Sequence, residues 1–154
     1  MIKVMFICHG NICRSPMAEF ILKDMVKQCG VSEQFQIASS ATSTEEIFNG
    51  IGNPVYHPAR RELARHGIKS DGKRAVQLRK SDYDDYDWLL GMDSRNIRNM
   101  ERITGHSRGG KMVTLLSFTQ EGGDIADPWY YGNFDKTYSD IVKGCEAFLR
   151  YLGF

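Results

Sequence analysis

The sequence predicts an α/β fold with a parallel sheet. Three observations predict it. Residues 2–7, IKVMFI, are apolar at five of six positions and β-prone, as a strand covered on both faces requires. Strand-like and helix-like segments then alternate along the chain, which favours βαβ units with right-handed crossovers. Finally, 154 residues with 42% apolar and 25% charged side chains are enough for one globular core, so one domain over 1–154 is expected.

The elements follow in order. After the first strand, Ser15 is a candidate helix cap and Pro16 a candidate first helical residue. Met17, Ile21, Leu22 and Met25 recur at helical spacing until Gly30. Residues 35–39, FQIAS, form the second predicted strand. Val55, Ala59 and Leu63 mark a helix expected to open at Pro54 and close at Gly67. DWLLGM, 87–92, is the third strand, and Asp93 or Ser94 caps a helix through Ile97 and Met100 that stops near Gly105. KMVTLL, 111–116, is the fourth strand. Tyr138, Ile141, Val142, Cys145, Phe148, Leu149 and Leu152 draw the apolar stripe of the last helix. Segments 40–53 and 117–134 carry the weakest patterns.

Composition excludes several functions. Twenty basic against nineteen acidic side chains leave a net charge of +1, with no basic excess for nucleic acid or an anionic membrane. No apolar run approaches the ~20 residues that span a bilayer. MIKVMFIC is too short for a secretory leader and reads as a strand. Cysteines 8, 13, 29 and 145 form no C-x-x-C pair, so neither a zinc site nor a disulfide scaffold is expected, and a reducing, cytoplasmic location is. Histidines 9, 57, 66 and 106 have no metal-ligand spacing, and no metal or organic cofactor is implied.

The segment CHGNICRSP, 8–16, lies where α/β folds bind ligands, beyond the C-terminal end of a strand and before a helix. A helix N-terminus favours an anion. Gly10 permits the tight turn that aims successive amides inward, and Arg14 adds a fork of donors matched to two oxygens of a tetrahedral oxyanion. Such surroundings lower a cysteine from about 8.5 to roughly 3.5–7.5, so Cys8 is a candidate thiolate nucleophile aimed at phosphorus. Ser15 can hydrogen-bond that thiolate. The plainer alternative makes Cys8 a small buried hydrophobe and Arg14 a surface cation; the placement between strand and Ser-Pro start favours the functional reading. Displacement at phosphorus also needs an acid for the leaving oxygen. Asp127 in DPWYYGNF is the candidate, with Pro128 stiffening the loop and Trp129 and Tyr130 as an aromatic wall.

VMFICHGNICRSPMAE, 4–19, resembles the active-site segment of the low-molecular-weight protein tyrosine phosphatases, and DPWYYGNFDKTY, 127–138, resembles their acid loop. SSATSTEEI, GNPVYHPARRELARHGI and LLGMDSRN are similar to further family segments in the same order. The resemblance implies a three-layer α/β/α fold with a four-stranded parallel sheet, flavodoxin-like and of the phosphotyrosine phosphatase I-like type. It implies hydrolysis of phosphotyrosine through a phosphocysteine, with tyrosine-phosphorylated proteins as partners and inorganic phosphate or other oxyanions as loop ligands. By position, Cys8 is the nucleophile, Arg14 the phosphate clamp, and Asp127 the general acid and then base. His9, Gly10, Asn11, Ile12, Cys13 and Ser15 complete the phosphate-binding loop. Asn11 and Ser39 hold its shape, and Ser15 supports the thiolate. Cys13 matches the second loop cysteine, which can form a reversible disulfide with Cys8. Glu45 and Glu46 face Trp129 and Tyr130 across the substrate cleft, and Tyr130 and Tyr131 are candidate phosphorylation sites. Two departures stand out. Residues 69–75, KSDGKRA, lack the histidine that several members place near the loop asparagine, and IFNGIGNPVYHP is longer than the common bacterial form.

Rival readings are weaker. Arsenate reductases of this fold need a cysteine pair near the third strand, and residues 70–100 contain no cysteine. Arginine phosphatases tend to have threonine where Ile12 stands. GHSRGGKM, 105–112, imitates a Walker A loop, but Met112 cannot supply the magnesium-binding hydroxyl and a strand is expected to follow. A phosphoprotein-binding module without catalysis would not need Cys8 and Asp127 together.

Overall fold

The computed structural model describes residues 1–154. Strand β1 (Ile2–Cys8) occupies the centre of a four-stranded sheet with β2 (Phe35–Ala41) on one side and β5 (Trp88–Gly91) on the other. A short antiparallel hairpin, β3 (Ile47–Phe48) and β4 (Ile51–Gly52), stands apart from it. Strand β6 (Met112–Thr114) completes the main sheet in the order β2-β1-β5-β6, all neighbours parallel.

Alternate residues of β1 feed two different cores, because successive side chains leave a strand on opposite faces. Val4, Phe6 and Cys8 pack with helices α1 (Arg14–Gln28), α2 (His57–Arg65) and α6 (Phe134–Leu152). Met5 and Ile7 pack with Leu89 and Met112 under helix α4 (Ser94–Thr104). The three-layer α/β/α arrangement is therefore set by the double-sided burial of IKVMFI. Close helix packing is visible at Gly144 in α6, where an added Cβ would lie 2.5 Å from Leu115 Cγ.

The expected elements are all present, with local corrections. Ser15 is not a cap: α1 begins at Arg14, its preceding residue Cys13 makes no capping side-chain bond, and the Ser15 hydroxyl turns inward to the loop. Pro54 does not open α2; it bridges to Arg74, and the helix begins at His57 with Pro58 in its first turn. The fourth strand stops at Thr114, where Leu115–Phe118 curl into a 3₁₀ turn that buries Leu115 and Leu116. Asp93 does cap α4, through a capping box with Asn96. The weakly patterned segments hold the hairpin and a short helix α5 (Pro128–Tyr131); another, α3 (Asp82–Asp85), precedes β5. The hairpin turn is Asn49-Gly50, both at positive φ (50° and 77°), the type I′ signature in the sequence.

Candidate active site

The loop from Cys8 to Arg14 leaves the C-terminal end of β1 and runs directly into α1. Its geometry is that of an anion cradle. No backbone N–H from His9 to Cys13 donates to a backbone carbonyl, whereas the loop carbonyls are tied outward: Cys8 and His9 carbonyls accept from Thr42 and Ser43 at 3.0 and 2.9 Å, and Ile12 from Tyr56 at 2.8 Å. Fixing the carbonyls on the outside leaves the amides for the cleft. Asn11 takes the left-handed conformation, φ 59°, which a non-glycine residue holds only when its surroundings impose it.

Those surroundings are a directed hydrogen-bond chain. The Val76 N–H can only donate, and it donates to Asn11 Oδ1 at 3.0 Å, which fixes the amide orientation. Asn11 Nδ2 then donates to Ser15 Oγ at 2.8 Å and to Ser39 Oγ at 2.9 Å, both inside the fold. Ser39 in turn donates to Glu19 Oε1 at 2.6 Å. Ser15 already accepts from Asn11, so its proton is left for Cys8 Sγ at 3.0 Å or the more distant Ser40 carbonyl at 3.5 Å. The Ser15 amide also donates to the sulfur, at 3.4 Å.

Arg14 is only 2% exposed, a buried cation that needs partners to be tolerated there. Its Nη1 donates to Asp93 Oδ2 at 2.6 Å and to the Ile125 carbonyl at 2.7 Å. Its Nη2 lies 3.6 Å from Asp127 Oδ2. Burial pulls the guanidinium down, but the negative groups Cys8, Asp93 and Asp127 outweigh it and hold it above its usual value. The neighbouring Cys13 thiol is pushed far up by burial first and by the Cys8 charge second, so it stays protonated.

Asp127 precedes α5 and caps it, Oδ1 accepting from the Trp129 amide at 3.0 Å. One oxygen is thus held by the backbone while the other faces the arginine over the loop. Cys8, His9, Gly10, Ile12, Cys13, Arg14, Glu45, Glu46, Asp127, Trp129 and Tyr130 line one cavity, so the expected nucleophile, clamp, acid and both cleft walls converge. Asn11, Ser15 and Ser39 are buried behind it. His9 Nε2 meets Glu45 Oε1 at 2.9 Å across the rim, and Trp129 packs on Tyr56 with ring centroids 4.6 Å apart. No cluster of side chains in the structure is arranged to hold a metal ion.

Sequence reasoning missed Asp93 as the partner of Arg14, together with Glu19, Lys73 and the Val76 amide. Asp93 carried a signal, because it lies just past the C-terminal end of β5, beside the loop. The others carried none, since nothing local in their segments marks a contact made across the fold.

A buried arginine under an amide-lined loop, a cysteine at its base and an aspartate above define the constellation of a cysteine-dependent phosphatase. Comparison with known proteins agrees. Residues 3–153 match the model of the low molecular weight phosphotyrosine protein phosphatase family. The low molecular weight protein-tyrosine-phosphatase YfkJ of Bacillus subtilis is 36% identical over 151 residues, covering 97% of this chain and 94% of that one. The Homo sapiens low molecular weight phosphotyrosine protein phosphatase is 36% identical over 96% of this chain and 93% of its own. The crystal structure of YfkJ superposes with a TM-score of 0.92 over 99% of this chain and 94% of that chain, at 35% identity. That of a Drosophila arginine phosphatase reaches 0.87 at 28% identity, covering 99% of each. The chain belongs to the low molecular weight phosphotyrosine protein phosphatase family, and is a hydrolase of the protein tyrosine phosphatase type.

Proposed function

We propose that the chain hydrolyses phosphotyrosine in tyrosine-phosphorylated proteins by two displacements at phosphorus, all within the one unit formed by residues 1–154. The loop amides and Arg14 hold the phosphoryl oxygens. The Cys8 thiolate attacks phosphorus, forming the S–P bond as the P–O bond to the aryl group breaks; Asp127 gives its proton to the departing phenolate oxygen. Asp127, now a carboxylate, takes a proton from water as the water oxygen bonds to phosphorus. The S–P bond breaks, phosphate leaves and the thiolate is regenerated, receiving the Ser15 hydrogen bond as its charge returns. Donors placed around the equatorial oxygens stabilise the charge that builds there.

The observation that carries this reading is the juxtaposition of Cys8, Arg14 and Asp127 in one cavity. Trp129, Tyr130 and the opposite wall of Glu45 and Glu46 suit a flat aromatic leaving group. A second reading, phosphoarginine, is favoured by the likeness to the arginine phosphatase structure. Ile12 speaks against it: the side chain lines the cavity and packs on Cys13 and Ala75, offering no hydroxyl to a guanidinium. Cys13, a protonated thiol in the same cavity, suits reversible disulfide formation with Cys8 under oxidation. All four cysteines are free, as a cytoplasmic setting would keep them, and no helix is long and apolar enough to cross a membrane.

The test is a parallel assay of phosphotyrosine peptide, phosphoarginine peptide and arsenate with the parent protein and Cys8→Ser. Turnover of phosphotyrosine alone, abolished in Cys8→Ser, is expected. Equal or faster turnover of phosphoarginine would move the assignment to the second reading.

A further inference from the structure

Beside the catalytic cavity lies a second cleft. The two share His9, Arg14, Asp127 and Tyr130, so a polypeptide held by its phosphotyrosine can run from one into the other. Their walls differ in charge. Glu45 and Glu46 line only the catalytic cavity, and Arg95 and Arg98 line only the second cleft. The two displacements at phosphorus use neither arginine.

Arg95 and Arg98 are three residues apart on α4 and so stand on one face of it. Both are exposed, and neither makes an ion pair or a side-chain hydrogen bond, whereas Arg60, Arg65 and Arg108 each meet a carboxylate and Arg102 on the same helix donates to Asn99. Helix α4 is anchored at the catalytic centre, because its cap Asp93 is also the partner of Arg14. With a helical rise of ~1.5 Å per residue, Arg95 stands ~3 Å and Arg98 ~7.5 Å along the helix from that anchor. An extended peptide advances ~3.3 Å per residue, so the two arginines reach side chains within about three residues of a phosphotyrosine.

The other charges of the second cleft are already engaged. Asp93 is matched by Arg14, and Asp127 carries the proton destined for the leaving group. His9 meets Glu45 at the rim. Asp124 accepts from the Ser94 amide at 3.1 Å and from its hydroxyl at 3.0 Å, which turns it toward the start of α4. Two arginines thus face one uncompensated carboxylate. A guanidinium stays charged and offers a planar fork of donors matched to a carboxylate. We infer that Arg95 and Arg98 are specificity-determining residues: they bind Asp or Glu side chains that flank the phosphotyrosine of the substrate polypeptide, while Glu45 and Glu46 repel such side chains from the opposite wall. The inference rests on the phosphotyrosine phosphatase reading and adds which polypeptides that site prefers.

The experiment measures kcat/KM for the parent protein, Arg95→Gln/Arg98→Gln and Arg95→Glu/Arg98→Glu. The substrates are p-nitrophenyl phosphate and three phosphotyrosine peptides, which carry glutamates just before the phosphotyrosine, glutamates just after it, or alanines on both sides. The parent is expected to favour a glutamate peptide over the alanine peptide by about fivefold at low ionic strength, and to lose most of that preference in about 0.5 M salt. The glutamine pair is expected to abolish the preference and the glutamate pair to reverse it. Glutamine is a good helix former and glutamate suits a helix N-terminus, so both variants are expected to melt with the parent. Their kcat/KM for p-nitrophenyl phosphate is expected to stay within about twofold of the parent's, because a small aryl phosphate does not reach the second cleft. A parent without preference, or a glutamine pair that keeps it, overturns the proposal. So does an equal loss on p-nitrophenyl phosphate, which would place the effect at the catalytic centre. No turnover of any phosphotyrosine peptide by the parent would instead overturn the phosphotyrosine phosphatase reading, which separates the two failures.

Discussion

At the scale of single residues, the polar groups of the site are held by specific partners. Arg14 spends Nη1 on Asp93 and the Ile125 carbonyl, which leaves its other edge toward the loop and Asp127. Asp127→Ala is therefore expected to slow aryl phosphate turnover by about 10²–10⁴-fold, the usual contribution of a general acid, while phosphate inhibition stays nearly unchanged. Steady-state kinetics with phosphate as competitor measure both, and unchanged turnover would remove Asp127 from the mechanism. Asp93→Ala acts differently, because it removes a helix cap as well as the arginine's partner. It is expected to cost about 1 kcal/mol of stability and to weaken phosphate binding, whereas an ordinary surface cap would affect only the first. The convergence of Cys8, Arg14 and Asp127 in one cavity was legible in the sequence because short motifs carry all three. Asp93, Glu19 and Lys73 were not, because their contacts with the loop and its support reach across 79, 20 and 34 residues of chain.

At the scale of elements, the loop from Cys8 to Arg14 is shaped from outside as much as from within. The hairpin β3–β4 abuts the segment that supports Asn11: Ala75 N–H donates to the Asn53 carbonyl at 2.9 Å, and an added Cβ on Gly52 would lie 1.9 Å from the Ala75 carbonyl oxygen. No side chain fits there without moving the backbone next to Val76. Gly52→Ala is therefore expected to lower the melting temperature and to slow Cys8 alkylation together, although residue 52 touches neither substrate nor sulfur. A variant with parental stability and parental reactivity would show that the hairpin does not brace the loop. The elements with long apolar periodicity, β1, α1, α4 and α6, were legible because burial imposes the period on the sequence. The two-residue strands and the four-residue helices α3 and α5 were not, since elements that short have no period to read. Ser15 illustrates a different failure. It has the residue type and the position of a cap, but its hydroxyl is worth more inside the loop, against Asn11 and the sulfur.

At the scale of the whole molecule, β1 divides the interior into two cores and places its last residue, Cys8, at the edge of the larger one. Two buried thiols then couple folding to pH. Burial raises both Cys13 and Cys145 well above an ordinary thiol, so the unfolded chain releases those protons first. Their contribution to stability is complete below about pH 8.5 and is lost as pH rises above it, by about 1.4 kcal/mol per pH unit for each thiol. Lys73, lowered by burial, works in the opposite sense, adding stability between its lowered value and about 10.4. Melting temperatures are expected to fall between about pH 8.5 and 10. Cys145→Ala should melt lower at neutral pH yet lose less over that interval; an equal loss would mean that Cys145 contributes nothing to the linkage. The three-layer architecture itself was legible from the alternation of strands and helices, and the fourth strand's early end was not, because Leu115 and Leu116 continue the apolar run while turning into the core.

The most direct measurement is rapid acid quenching during turnover of an aryl phosphate, followed by peptide mass spectrometry. One phosphoryl group on the peptide containing Cys8, at the sulfur and absent from Cys8→Ser, is the expected result. A phosphoryl group on His9 or any other residue, or turnover that persists in Cys8→Ser, would contradict the account.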